Sequence, residues 1–189
     1  ALEELKEKLP ALPPDVTGVI HKRRHIFLGR WMKHGVYPVK LLRLFRYGAA
    51  RCEQRHMDEH MELSRGRAVE FEHDFVDENL NGLGWWAHKH VDYSARELAD
   101  LEDILSSAAA DSGINGQAER KRAMKERYAR QPLFWRSFAY FCYRYFLKLG
   151  FLDGREGFLW HFMQGWWYRT LVDARQFEKQ KKGSGKTAR

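Results

Sequence analysis

A chain of 189 residues with 44% hydrophobic content has enough material for one ordinary domain, or one domain with an appendage. Its net charge of +8 and pI near 9.5 favour an anionic partner: nucleic acid, membrane lipid or a phosphorylated substrate. The mean hydropathy of −0.64, with no apolar run near the roughly 18 residues a spanning helix needs, excludes a helical integral membrane protein, and two cysteines, Cys52 and Cys142, make no disulfide framework.

In chain order, residues 1–12 carry Leu2, Leu5 and Leu9 at helical spacing, and Pro13-Pro14 ends that helix. The chain thus opens at Ala1 directly on a helix with no preceding strand, and is expected to be a piece of something longer. Residues 16–28 mix β-branched, apolar and basic residues, as a strand does. Residues 29–40 are punctuated by two glycines and a proline and predict a loop. Residues 41–47 and 67–73 alternate and predict two further strands. From Leu80 to about Ser106 the period becomes helical. A linker follows, then a charged helix over 117–130, an aromatic helix over 134–149, a turn over 150–157 and a last helix from Phe158 to about Lys179. Residues 181–189 predict a disordered basic tail.

Three clusters carry chemistry. Between the second and third predicted strands, five positions hold His56, Asp58, Glu59 and His60. Adjacent acids among basic residues fit a catalytic site of an α/β enzyme. They fit equally a polar loop whose acids pair with Arg51, Arg55 or Arg65, and His56, Asp58 and His60 also suit a Zn or Mn site. The second cluster is Arg30, Trp31, Lys33, His34 and Tyr37. Rings stack on the C–H faces of sugars while cations bind hydroxyls or phosphate, although Trp31 serves as well as a core anchor. Arg43, inside an apolar run, calls for a buried partner or a phosphate. The third cluster is the aromatic tail. Trp135, Phe138, Arg144, Trp160, Trp166 and Trp167 are expected at a membrane interface, because aromatic helices with interleaved cations lie in the plane of a bilayer. The alternative is that both helices pack on the domain or on another chain. Arg136, Arg144 and Lys148 are expected within about 120° of one another on a regular helix.

Four stretches, in this order, carry a resemblance: Arg24-His-Ile-Phe-Leu-Gly-Arg-Trp-Met-Lys-His-Gly35, Tyr37-Pro-Val-Lys-Leu-Leu-Arg-Leu-Phe-Arg46, His56-Met-Asp-Glu-His60, and 85–93 with its Lys89-His90 pair. With Leu149-Gly-Phe-Leu-Asp-Gly-Arg-Glu-Gly157 between aromatic helices, they resemble the C-terminal two-thirds of a family 2 glycosyltransferase of bacterial lipopolysaccharide core, capsule or exopolysaccharide synthesis. The resemblance implies an α/β fold: the acceptor side of a GT-A domain over 1–110, with about three strands, then a membrane-interfacial helical region over 111–180. It implies Glu59 as catalytic base with Asp58 beside it, and Arg30, Trp31, His34, Tyr37, Arg43, His56 and His60 as substrate-binding residues. Lys89 and His90 become candidates for the donor diphosphate, against a solvated helix face as the alternative, and His73 for an extra metal ligand. A complete enzyme of this kind uses Mg or Mn, a nucleotide-sugar donor and a lipid-linked saccharide acceptor at the cytoplasmic face of the inner membrane. The nucleotide-binding half and its Asp-x-Asp motif do not occur here, so a missing N-terminal half or an oligomer partner is expected to complete the site.

Two other classes remain open from sequence. One is a non-catalytic membrane-docking or assembly module. The other is a nucleic-acid-binding module, for which the basic charge and aromatics speak, while no recognised binding signature accompanies them.

Overall fold

The computed structural model describes residues 2–53, 60–107 and 124–184. Within them the fold is mixed α/β, with a mixed sheet and several helices. Helix α1 (Leu2–Lys8) tightens into a 3-10 turn at Leu9–Ala11, where Pro10 removes a backbone donor. Strand β1 (Val16–Phe27), twelve residues long, organises the sheet. It turns through Leu28 and Gly29, both at positive φ (50° and 76°), into the antiparallel strand β2 (Arg30–Trp31). The antiparallel strand β3 (Val39–Phe45) lies on the same edge of β1, pairing Phe45 with Gly18 and Val39 with Arg23. Strands β6 (Arg67–Glu70) and β7 (Phe75–Glu78) run parallel to β1 on its other edge, one after the other. A separate hairpin, β4 (Ala50–Cys52) with β5 (Met61–Leu63), stands off β3. Gly18 sits under it: a Cβ there would lie 2.7 Å from a Leu42 methyl and 3.0 Å from a Leu63 methyl, so a larger residue would push these side chains aside.

The seven strands correct the expectation of three. β4, β5 and β7 are three or four residues long, too short to show an alternation. The loop expected over 29–40 contains β2, and the strand expected over 67–73 ends at Glu70, with Phe71 buried just beyond it.

Alternate side chains of β1 divide the sheet. Val19, His21 and Phe27 are buried, while Lys22, Arg24 and Ile26 on the opposite face stay half-exposed. Helix α2 (Leu83–Ser107) brings Trp86, and helix α5 (Gly154–Trp160) brings Trp160, onto Phe27 and Met32 to form the first core. The second core joins Leu101 of α2 and Ala129 of α3 (residues 124–129) to Tyr168 and Val172 of α6 (Tyr168–Ser184). Residues 181–184, expected in a basic tail, continue α6.

The helices over 135–147 and 154–184 are not regular. After α4 (Trp135–Cys142) the turn Tyr143–Leu147 is π-helical, with the Lys148 N–H donating to the Tyr143 carbonyl at 2.9 Å, and His161–Trp167 is a second π turn. The three cations expected within about 120° of one another differ in burial. Arg136 and Arg144 are buried and Lys148 is exposed.

Arg136 is held on every side. Its Nε and Nη2 reach Asp173 Oδ1 at 2.7 and 2.6 Å, Nη1 donates to the Ala129 carbonyl and Nη2 to Gln176 Oε1. Asp173 Oδ2 accepts the backbone N–H of Phe134, a non-glycine residue at φ 65° that starts α4. A fully buried pair is costly to break from one side, since the surviving charge loses its partner. Asp173→Ala is expected to lower the unfolding free energy by about 3–5 kcal/mol in a urea titration.

Candidate functional site

The acid–histidine segment sits between β4 and β5. Its stems pair Ala50 with Leu63, Arg51 with Glu62 and Cys52 with Met61, and the Glu53 N–H donates to the His60 carbonyl at 2.9 Å. His56, Asp58 and Glu59 lie outside the described residues. His60 stands at the stem, 3.9 Å from the Glu53 carboxylate. Arg51 faces Glu62 at 3.7 Å across the hairpin.

The second cluster is built by the β1–β2 turn. That turn sets Trp31 opposite Ile26, one diagonal step from Arg24. The Arg24 guanidinium covers the Trp31 ring at 4.2 Å and Lys33 approaches it at 4.8 Å. Tyr37 meets Trp31 edge-on, with centroids 5.3 Å apart. The Tyr37 hydroxyl donates to Asp74 Oδ1 at 3.1 Å, and Arg24 Nε and Nη2 reach Asp74 Oδ2 at 3.4 Å. Burial first, and then the Asp74 carboxylate, raise the Tyr37 pKa. Two cations, two rings and one acid thus share the half-exposed face of the sheet. The Trp31 Nε1 is buried without a protein partner.

Arg43 needs no buried partner. It is exposed on β3 and lies 5.2 Å above the Phe75 ring. The apolar run around it belongs to a strand whose end is itself exposed, at Leu44 and Phe45.

The loop after β2 is clasped by the C-terminal helices. Asp153 is buried and accepts from the His34 backbone N–H at 2.8 Å and from His34 Nδ1 at 2.7 Å. Arg144 Nε donates to the Gly35 carbonyl at 3.1 Å. His161 Nε2 lies 3.2 Å from the His34 carbonyl, which only accepts, so Nε2 carries the proton. Gly35 is at φ 75°, and a Cβ there would come within 2.7 Å of His161 Cε1. Arg30 extends the contact to Glu156 at 3.5 Å. His34 and Arg30 are thus engaged with the helices, apart from the Trp31 ring and its cations. Asp74, Asp153 and His161 organise this region, yet their partners lie 37, 119 and 127 residues away in sequence. The 149–157 stretch reads from sequence as a turn, with nothing local to mark Asp153 as an anchor.

His73 is joined to α1. Its Nδ1 donates to Glu4 Oε2 at 2.8 Å, and the buried Glu4 carboxylate also accepts the Glu72 and His73 backbone N–H groups and Lys8. Those donors hold the Glu4 pKa far below its ordinary value against the opposing effect of burial. Among the described residues no group of three or more His, Cys, Asp or Glu is placed to hold a metal.

Lys89 and His90 do not form one binding group. Adjacent helical residues point about 100° apart. Lys89 lies over the Trp85 and Tyr93 rings, at 5.0 and 5.2 Å. His90 is buried, stacked on Trp86 at 3.5 Å, and donates through Nδ1 to the Trp86 carbonyl. Burial pushes its pKa down. It is a core histidine.

The aromatic tail also divides. Trp160 and Arg144, each 7% exposed, are interior rather than interfacial: Trp160 fills the first core and Arg144 serves the clasp. Trp167 packs against both cores, and Trp166 is sandwiched among Phe138, Phe141 and Phe162. Trp135 is exposed.

No protein-family model matches the chain, and no curated protein or solved structure matches it.

The clasp carries a pH dependence. His161 is fully buried, its Nδ1 has no partner, and Arg144 lies nearby, so burial and then that guanidinium hold its pKa down at about 4. Unfolding releases it to an ordinary value near 6.5. Between these limits the unfolded chain binds the extra proton, so stability rises as pH rises and is lost as pH falls from about 6.5 toward 4. The slope from one proton is at most about 1.4 kcal/mol per pH unit. Glu4 acts in the same direction only below about 4.5, the unfolded carboxylate range. His161→Gln, which keeps a donor for the His34 carbonyl, is expected to flatten the profile between pH 5 and 6.5 in urea titrations, roughly within the histidine range.

Proposed function

We propose that the chain is the acceptor-side part of an inverting glycosyltransferase of GT-A type. It would act on a lipid-linked saccharide in bacterial cell-surface polysaccharide synthesis, at the cytoplasmic face of the inner membrane. The observation that carries this reading is the Arg24–Trp31–Lys33–Tyr37–Asp74 cluster. A tryptophan flanked by two cations, with a hydroxyl and a carboxylate beside it, combines an aromatic ring for a sugar with charge for phosphate. The mixed sheet, with parallel and antiparallel neighbours on one central strand, is compatible with the acceptor half of such a domain.

Inverting transfer requires a carboxylate to take the proton from the acceptor hydroxyl as its oxygen attacks the anomeric carbon. The bond from that carbon to the diphosphate breaks, and the nucleoside diphosphate leaves with the electron pair. Glu59 is assigned as the base and Asp58 as its neighbour, on the connection between β4 and β5. Trp31, Tyr37, Lys33 and Arg24 are assigned to the acceptor. Mg or Mn would belong to the donor side, and no ligand set for either stands among the described residues. The nucleotide-sugar would be held by polypeptide outside these residues.

A second reading, a membrane-docking or assembly module without catalysis, is favoured by the exposed apolar surface of the C-terminal helices.

In the enzyme complete with its donor-binding half, Glu59→Gln is expected to abolish transfer while leaving donor binding nearly intact. Unchanged turnover would remove Glu59 from the role. Trp31→Ala is expected to raise the acceptor KM about tenfold with a smaller change in kcat, the signature of lost stacking.

A further inference from the structure

The corner between α4 and α5 exposes apolar surface of an unusual kind. Phe146, Leu147, Leu149, Phe151, Leu152 and Phe158 are 54, 75, 46, 44, 50 and 44% exposed, all within thirteen residues of chain. The three phenylalanines are joined through one ring. Tyr145 contacts Phe146, Phe151 and Phe158 at centroid distances of 5.1, 6.2 and 5.8 Å. From Phe158 the contacts pass through Phe162, Trp166 and Phe138 to the exposed Trp135. No described helix is long and apolar enough to cross a membrane.

The charges around this corner are asymmetric. Its two acids are already engaged: Asp153 is buried under His34, and Glu156 faces Arg30. Its exposed cations, Lys148 and Arg155, rim the apolar surface.

We propose that this corner is a wedge that inserts into the interface of an anionic lipid bilayer, with Lys148 and Arg155 on the headgroups and the leucines and phenylalanines among the upper acyl chains. The inference rests on the membrane placement in the reading above and not on glycosyl transfer. The charge pattern selects the occupant. Across a two-fold interface with a second copy, Lys148 and Arg155 would face a rim of like charge whose acids are already paired. A lipid surface bearing phosphates meets the same rim with opposite charge. The depth suits an element that lies in the interface, about 5–10 Å into the headgroup boundary. Trp166 and Trp167 are the supports of the wedge. Their replacement would disturb packing first, and so would not report on docking.

The test is flotation of the full chain with vesicles of phosphatidylcholine alone or mixed with phosphatidylglycerol, at low and high salt. The chain is expected to float with the mixed vesicles and to be released by salt. Leu147→Glu with Leu152→Glu should reduce partitioning at least tenfold, with thermal unfolding unchanged because both positions are exposed. Lys148→Ala and Arg155→Ala should each cost roughly fivefold on mixed vesicles and little on neutral ones. The proposal is overturned if the unaltered chain stays unbound, if the leucine variants float as it does, or if those variants instead dissolve a dimer seen by sedimentation. Donor and acceptor are absent from this assay, so its failure leaves the Glu59 variant to decide the transferase reading separately.

Discussion

The junction between the loop after β2 and the C-terminal helices depends on one buried carboxylate. Asp153 takes two hydrogen bonds from His34, one from the backbone and one from the ring, and so anchors the loop after β2 to the C-terminal helices. Arg144 and His161 complete the grip through the carbonyls of Gly35 and His34. The grip lies directly beside Met32, which is fully buried in the first core, and beside the β1–β2 turn that presents Trp31. The arrangement uses buried polar groups that are individually expensive and acceptable only because each has its partner. The Nδ1 of His161 is the exception, and that orphan makes the clasp sensitive to acid.

The two sides of the sheet have separate duties. The side bearing Phe27 is roofed by indole rings from α2 and α5, whose edge-to-face contacts define the first core. The opposite side, with Arg24, Lys22 and Trp31, stays half-exposed. The proposed acceptor region is this cation-rich, ring-bearing face.

How far the sequence foretold this varies by feature, for physical reasons. Strands β1 and β3 and helix α2 are long enough for their periods to register in the chain, and they stand within a few residues of expectation. The short strands are not legible, because pairing to β1 and not local alternation makes them strands. In the site, Trp31 and Tyr37 were visible as rings beside cations. Asp74 and Asp153 were not, since their partners arrive through the fold from remote positions. Trp160, Arg144 and His90 show the opposite failure. Composition marked them as surface or binding residues, and burial made them structural.

The two π-helical turns have one more consequence. A turn bonded from i to i+5 holds one residue beyond the α-helical complement. Deleting a residue from Tyr143–Leu147 would restore ideal helical winding and, at the same stroke, shift the side chains inside the turn by one position. The buried Arg144 and the exposed Phe146 and Leu147 thus owe their relative placement to a single surplus amino acid. A chain edited toward a more perfect helix there would keep its secondary structure and lose the alignment that lets one segment look inward and the next look out.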